Sequence, residues 1–139
     1  GFSNTTRAGD YGGSGMWAHV DAQDAEVAVI AMIEDPEALE CLAAILATPG
    51  LDGAFIGRGD LTVALGAAAL NAPETQAATE KILAAARNAG KPVCIMVASA
   101  AEAQEWMKLG ASAFIVSSDQ GFVRQAAVKT LADFAPLKS

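Results

Sequence analysis

Two carboxylates stand out because of where they fall relative to apolar runs. Glu34 closes the run EVAVIAMIE (26–34). Asp60 follows the run DGAFIG (52–57), within the stretch Gly57-Arg58-Gly59-Asp60. Both runs have the near-continuous apolar character of a strand covered on both faces. If the two strands are neighbours, about 4.8 Å apart, the carboxylates emerge on one rim. Carboxylates that close repel unless a proton or a cation is shared between them. Hard cations such as Mg2+ or Mn2+ take one or two protein carboxylates and complete their shell with water and substrate oxygens. Gly57 and Gly59 let the backbone approach a ligand closely, and their N–H groups suit an anion. A plainer reading competes with this one. Asp35 suits the N-cap of a helix starting at Pro36, Glu34 can assist it, and Asp60 can cap a turn over 61–65. Spacing alone leaves both open.

The same stretch contains Arg58-Gly59-Asp60, which has the form of an adhesion signal. A buried strand runs directly into it, the chain shows no export signal, and there is no disulfide framework, so the context opposes that reading. Other polar residues expected on the rim are Ser99, Ser117, Ser118 and Asp119. His19, the single histidine, falls in a short amphipathic segment and reads as a surface residue. Trp17, Trp106, Met96 and Met107 read as packing residues. Cys94 lies within a strand as an inert buried thiol, while Cys41 lies in a helix with its exposure open. Neither cysteine has a partner motif for zinc or for Cys–His catalysis.

These residues need a scaffold, and the chain supplies alternating units. Residues 1–16 form a polar, glycine-rich loop and 17–25 a short helix. The strand 26–34 leads into DPEALECLAAILATPG (35–50), a helix with Asp35 at the N-cap, Pro36 at its first position and Gly50 beyond its end. Strand 52–57 is followed by one helical turn in DLTVALG and a long helix over 73–89. Strand 92–98 precedes a helix that opens with the capping-box pair Ser99 and Glu102 and stops at Gly110. Strand 111–117 precedes a last helix over about 120–134. Short buried strands alternating with helices imply an α/β fold with a parallel sheet and right-handed crossovers. An open doubly wound sheet and part of a (β/α)8 barrel both fit. A full barrel takes about 250 residues, so 139 residues correspond to about four of eight units, a half-barrel forming one domain over 1–139. Such a half leaves sheet edges and an apolar face open, which predicts association with another copy or with the missing half.

Bulk properties narrow the function. The net charge of −7 and the lack of a basic stripe exclude nucleic acid and disfavour an anionic membrane surface. No apolar run reaches the about 18–20 residues needed to span a bilayer. Two cysteines without a framework favour a reducing, cytoplasmic location.

As an ensemble, IAMIEDPEALE, TPGLDGAFIGRGDLTVALG and GKPVCIMVASAAEAQEWMKLGASAFIVSSDQGFVRQA resemble the carboxyl half of the HpcH/HpaI aldolases. These are class II pyruvate aldolases related to the 2-dehydro-3-deoxyglucarate and 4-hydroxy-2-oxoheptanedioate aldolases. The resemblance extends from TTRAGDYG to the last helix. It implies a TIM-type barrel and a carbon–carbon lyase that cleaves or forms 4-hydroxy-2-oxo acids from pyruvate and an aldehyde. It implies Mg2+ or Mn2+, with Co2+ as a further candidate, held by Glu34 and Asp60. It also implies a pyruvyl carboxylate held by the N–H groups of Gly59 and Asp60. The ion stabilises the enolate as a Lewis acid, so no Schiff-base lysine is required, in keeping with strands that contain none.

Two positions depart from the family pattern. Met32 replaces a glutamine two residues before the metal-binding glutamate, and Arg58 replaces a proline. Arg58 is expected either to reach an acidic substrate group or a neighbouring subunit, or to be solvated. The arginine and histidine that the family uses for binding and proton transfer lie in the amino half and have no counterpart here, Arg7 included. Two further readings are a non-catalytic half-barrel assembly or ligand-binding module, and a doubly wound domain that binds an acidic metabolite without metal. Clear separation of Glu34 and Asp60 would support the latter.

Overall fold

The computed structural model describes residues 2–137. Four parallel strands, β1 (Ile30–Ile33), β2 (Gly53–Ile56), β3 (Val93–Val97) and β4 (Ala113–Val116), form one sheet in the order β1-β2-β3-β4. The order follows the chain without reversal. A doubly wound sheet requires such a reversal, so that alternative is corrected. The intervening helices are α1 (Met16–Glu26), α2 (Pro36–Glu40), α3 (Leu42–Leu46), α4 (Arg58–Ala64), α5 (Pro73–Asn88), α6 (Ala100–Leu109) and α7 (Asp119–Phe134).

The helix expected over 35–50 is divided in two. Cys41 leaves the helical region at φ −116°, ψ 11°, and α3 starts anew with Leu42 and Leu46 buried. The expected strand 26–34 contracts to four residues, because Val27 and Val29 stay exposed ahead of β1.

One face of the sheet carries the core. Ile33, Ala54, Ile56, Val93, Ile95 and Val97 point toward the helices and are buried. They meet the apolar stripe of α5, whose buried positions Thr75, Ala78, Thr79, Ile82, Leu83 and Ala86 follow helical spacing. Burying each large aliphatic side chain there contributes about 1.5–3 kcal/mol.

Against expectation, the strands are not covered on both faces. Met32 and Met96 are about half exposed on the opposite face, and Ile115 is exposed beside them. An apolar run is buried on both sides only where a second layer exists, and within the described residues the helices supply one. The packing role expected for Trp17, Met96 and Met107 fails: all three are exposed, whereas Trp106 is buried.

Candidate functional site

The carboxyl ends of the strands open onto a cavity of about 590 Å3. Its wall includes Met32, Phe55, Met96, Val116 and Phe122, and its polar lining includes Arg58, Asp60, Glu102, Ser117 and Gln125.

Sheet register builds the carboxylate pair. Ile33 stands opposite Ile56, and the Gly57 N–H donates to the Ile33 carbonyl at 3.0 Å. Glu34 therefore leaves β1 level with Gly57. Asp60 is the third residue of α4, near enough for its charge to act on the Glu34 carboxyl. Burial, then the charges of Asp60 and Asp35, then the contact with Asp60 raise the Glu34 carboxyl above the usual glutamate range. Among the described residues neither Glu34 nor Asp60 is paired with a cation.

The capping alternatives fail. Asp35 occupies the N-cap of α2 but its side chain makes no capping hydrogen bond. Gly57, not Asp60, is the N-cap of α4. By contrast, Ser99 and Ser118 are spent as caps. Ser99 accepts from the Glu102 N–H and Ser118 from the Gly121 N–H, each at 3.1 Å. The Asp119 carboxylate accepts from the Gln120 N–H. Ser117 lines the cavity with a left-handed backbone at φ 62°, an uncommon conformation for a non-glycine residue.

Gly57 is required by space, not by its φ of −79°. A Cβ there would lie 2.8 Å from both Cβ and Oε2 of Glu34. The carboxylate end could swing away, but the Glu34 Cβ is fixed to the strand. Gly57→Ala is therefore expected to displace Glu34 and weaken Mn2+ binding by about tenfold or more, read by calorimetry against the wild-type chain. Gly59 differs: a Cβ there meets nothing within 4 Å, so the fold leaves its outer face free for a ligand. The N–H groups of Gly59 and Asp60 belong to the first turn of α4, where helical amides have no intrahelical acceptor.

Of the courses expected of Arg58, solvation is ruled out, because its side chain is only 9% exposed. Nη1 donates to Glu102 Oε1 at 2.6 Å, Nη2 reaches the Leu70 carbonyl at 3.4 Å, and the guanidinium lies 5.1 Å from the Trp106 ring centroid. Its charge is committed to Glu102. Burial pushes the Glu102 carboxyl up, but the Ala98 N–H, Arg58 and the Trp106 N–H outweigh it and leave it lowered. A lowered folded value means that this pair supports the fold above the ordinary glutamate range and loses that support as pH falls through the folded value.

Sequence reasoning did not find Glu102 as a partner. Its capping-box spacing marked it, but the carboxylate reaches the Ala98 N–H at 2.8 Å instead of its own N-cap, and turns its other oxygen to Arg58. It also missed the buried hydroxyls that tie α4 to α5. Thr62 donates to the Arg58 carbonyl at 2.6 Å and lies 3.2 Å from the Thr75 hydroxyl, which can then act as donor. His19 is half-buried on α1, with its ring edge-on to Phe2 and away from the carboxylates. Cys94 is half-buried with its thiol pushed up by burial, in keeping with an inert residue, and Cys41 is exposed.

The donor set fits a hard divalent cation. Glu34 and Asp60 offer oxygen ligands only. Among the described residues no third His, Cys, Asp or Glu joins them, which leaves room for water and substrate oxygens and argues against a closed zinc site.

The site is thus a carboxylate pair beside the first-turn amides of α4, on the carboxyl rim of a parallel βα sheet in chain order. Residues 4–126 match the HpcH/HpaI aldolase/citrate lyase family, and the chain belongs to it. It is 38% identical over 108 residues to a 5-keto-4-deoxy-D-glucarate aldolase of Klebsiella pneumoniae, an alignment spanning 77% of this chain and 42% of that one. It is 38% identical over 119 residues to a 4-hydroxy-2-oxo-heptane-1,7-dioate aldolase of Salmonella paratyphi A, spanning 85% of this chain and 45% of the relative. The chain thus spans less than half the length of these curated relatives. Among solved structures, an HpcH/HpaI aldolase/citrate lyase family protein of Burkholderia cenocepacia superposes with a TM-score of 0.83 at 29% identity, over 97% of this chain and 52% of that one. No helix among the described residues is long and apolar enough to cross a membrane.

Proposed function

We propose that these residues are the metal- and pyruvate-binding half of a class II aldolase, a (β/α)8 lyase of which this chain supplies four strands. The observation that carries the reading is the pairing of Glu34 with Asp60 at the strand ends, with neither used as a helix cap nor paired with a cation among the described residues. Glu34 and Asp60 would hold Mg2+ or Mn2+, with Co2+ a further candidate. When bound, the ion supplies Lewis-acid stabilisation of the negative charge that develops on the keto oxygen of pyruvate. The first-turn amides of Gly59 and Asp60 orient the pyruvyl carboxylate, and the open side of Gly59 admits it. Met32, Phe55 and Met96 line the adjoining wall and limit water around the reacting carbons. The aldehyde partner, a cytoplasmic setting, and cover for the open sheet face from the amino half or a second copy belong to the same reading.

The test is titration with pyruvate at saturating Mn2+ and again with the metal chelated. Metal is expected to tighten pyruvate binding by about tenfold or more, since an ion held by Glu34 and Asp60 would take pyruvate oxygens as ligands. Equal affinity in both titrations would overturn the reading.

A second reading, a ligand-binding module without turnover, is favoured by one feature. Met32 places a thioether on the cavity wall where the family carries an amide. It predicts the same metal-dependent binding and differs only in turnover by the assembled barrel.

A further inference from the structure

We infer that Arg58 is a positioning residue, which clamps the turn carrying Gly59 and Asp60 to α6 through Glu102 and Trp106. The inference rests on the reading above only in taking Asp60 as a metal ligand.

The turn has little to hold it locally. Helix α4 has seven residues, its N-cap Gly57 offers no side-chain cap, and Gly59 is its second residue. A helix that short, with glycine at both of these places, is not stable by propensity. Beyond the burial of Leu61 and the bonds of the Thr62 hydroxyl to the Arg58 carbonyl and to Thr75, the contact that ties its first residue to α6 is the Arg58 side chain.

Arg58 reaches 44 residues along the chain, and the far end is itself rigid. Glu102 is held by the Ala98 N–H at 2.8 Å and by its own position in the first turn of α6. The Trp106 indole N–H approaches the same Oε1 at 3.5 Å, and its ring flanks the guanidinium. The clamp therefore joins the carboxyl end of β2 to that of β3.

Its chemistry favours geometry over net stability. Contact with the carboxylate is through one nitrogen, and Arg58 Nε is buried without a partner. Part of the attraction is offset by that unpaired donor and by desolvation, so an apolar replacement of the pair can leave global stability almost unchanged. The first position of a helix is also where proline is best tolerated, because its ring fixes φ and no intrahelical N–H bond is lost. The side-chain clamp and a proline ring thus offer two routes to one outcome, a fixed first turn.

The test compares Arg58→Met/Glu102→Gln with Arg58→Pro/Glu102→Gln, both free of an unpaired charge. The readouts are amide exchange at Leu61, whose N–H closes the first turn onto the Gly57 carbonyl at 2.9 Å, and Mn2+ affinity. Exchange at Leu83 in the core of α5 reports global opening. The methionine variant is expected to exchange Leu61 about tenfold faster with Leu83 unchanged, and to bind Mn2+ about tenfold more weakly. The proline variant is expected to recover both to within about threefold. Unchanged Leu61 exchange in the methionine variant, or equal lability in the proline variant, would overturn the inference. Exchange is measured without metal, so wild-type protein that fails to bind Mn2+ removes the functional reading and leaves the clamp to stand or fall on its own result.

Discussion

Glu34→Ala and Asp60→Ala are each expected to lower Mn2+ affinity by about two orders of magnitude, to the background of the acidic surface. The size of the effect follows from the donor set. Two carboxylates converge, and among the described residues no third acidic, histidine or cysteine ligand replaces a lost one. Burial and the charge of Asp60 raise the Glu34 carboxyl, so a cation that offsets the repulsion is favoured there, and removing either carboxylate removes both a ligand and that incentive. Asp35 is the control. It is exposed, adjacent in sequence and of the same charge, so Asp35→Ala separates a defined site from bulk attraction by a net charge of −7. Isothermal calorimetry reads all three variants. Binding in the Glu34 and Asp60 variants as tight as in the wild-type chain would remove the site assignment.

The 139-residue chain alone is expected to release no measurable pyruvate from a 4-hydroxy-2-oxo acid, even with metal bound. Cleavage of a carbon–carbon bond next to an alcohol needs a group that takes the hydroxyl proton, and such a group contributes about 10²–10⁴-fold. The described residues around the cavity include no histidine and no lysine. The one basic side chain there, Arg58, is committed to Glu102. His19 lies in a separate cleft with Phe2, Ser3 and Asp24. A coupled assay showing robust turnover would mean that a proton-transfer group lies within these residues.

Much of the scaffold is legible from local pattern. The apolar runs ending at Glu34 and Gly57 become adjacent parallel strands, Ser99 caps α6 as its spacing implies, and Pro73 begins α5. What fails to show in the sequence depends on distance. Nothing in the order of residues pairs Arg58 with Glu102, because helix packing brings them together and no sequence period does. The exposure of Met32 and Met96 is equally hidden, since an apolar strand looks the same whether one layer or two cover it. The break at Cys41 gives no composition signal, with good helix formers on either side, and arises where Leu42 and Leu46 turn into the core. The carboxylate pair lies between these extremes. Strand ends place Glu34 and Asp60 on one rim, and only the fold shows that neither serves as a cap.

The most direct measurement is an anomalous difference map from crystals of the chain grown with Mn2+ and pyruvate. One strong peak is expected between the carboxylates of Glu34 and Asp60, with the pyruvate carboxylate at the N–H groups of Gly59 and Asp60. A peak at other residues, or none at this pair, would contradict the site assignment.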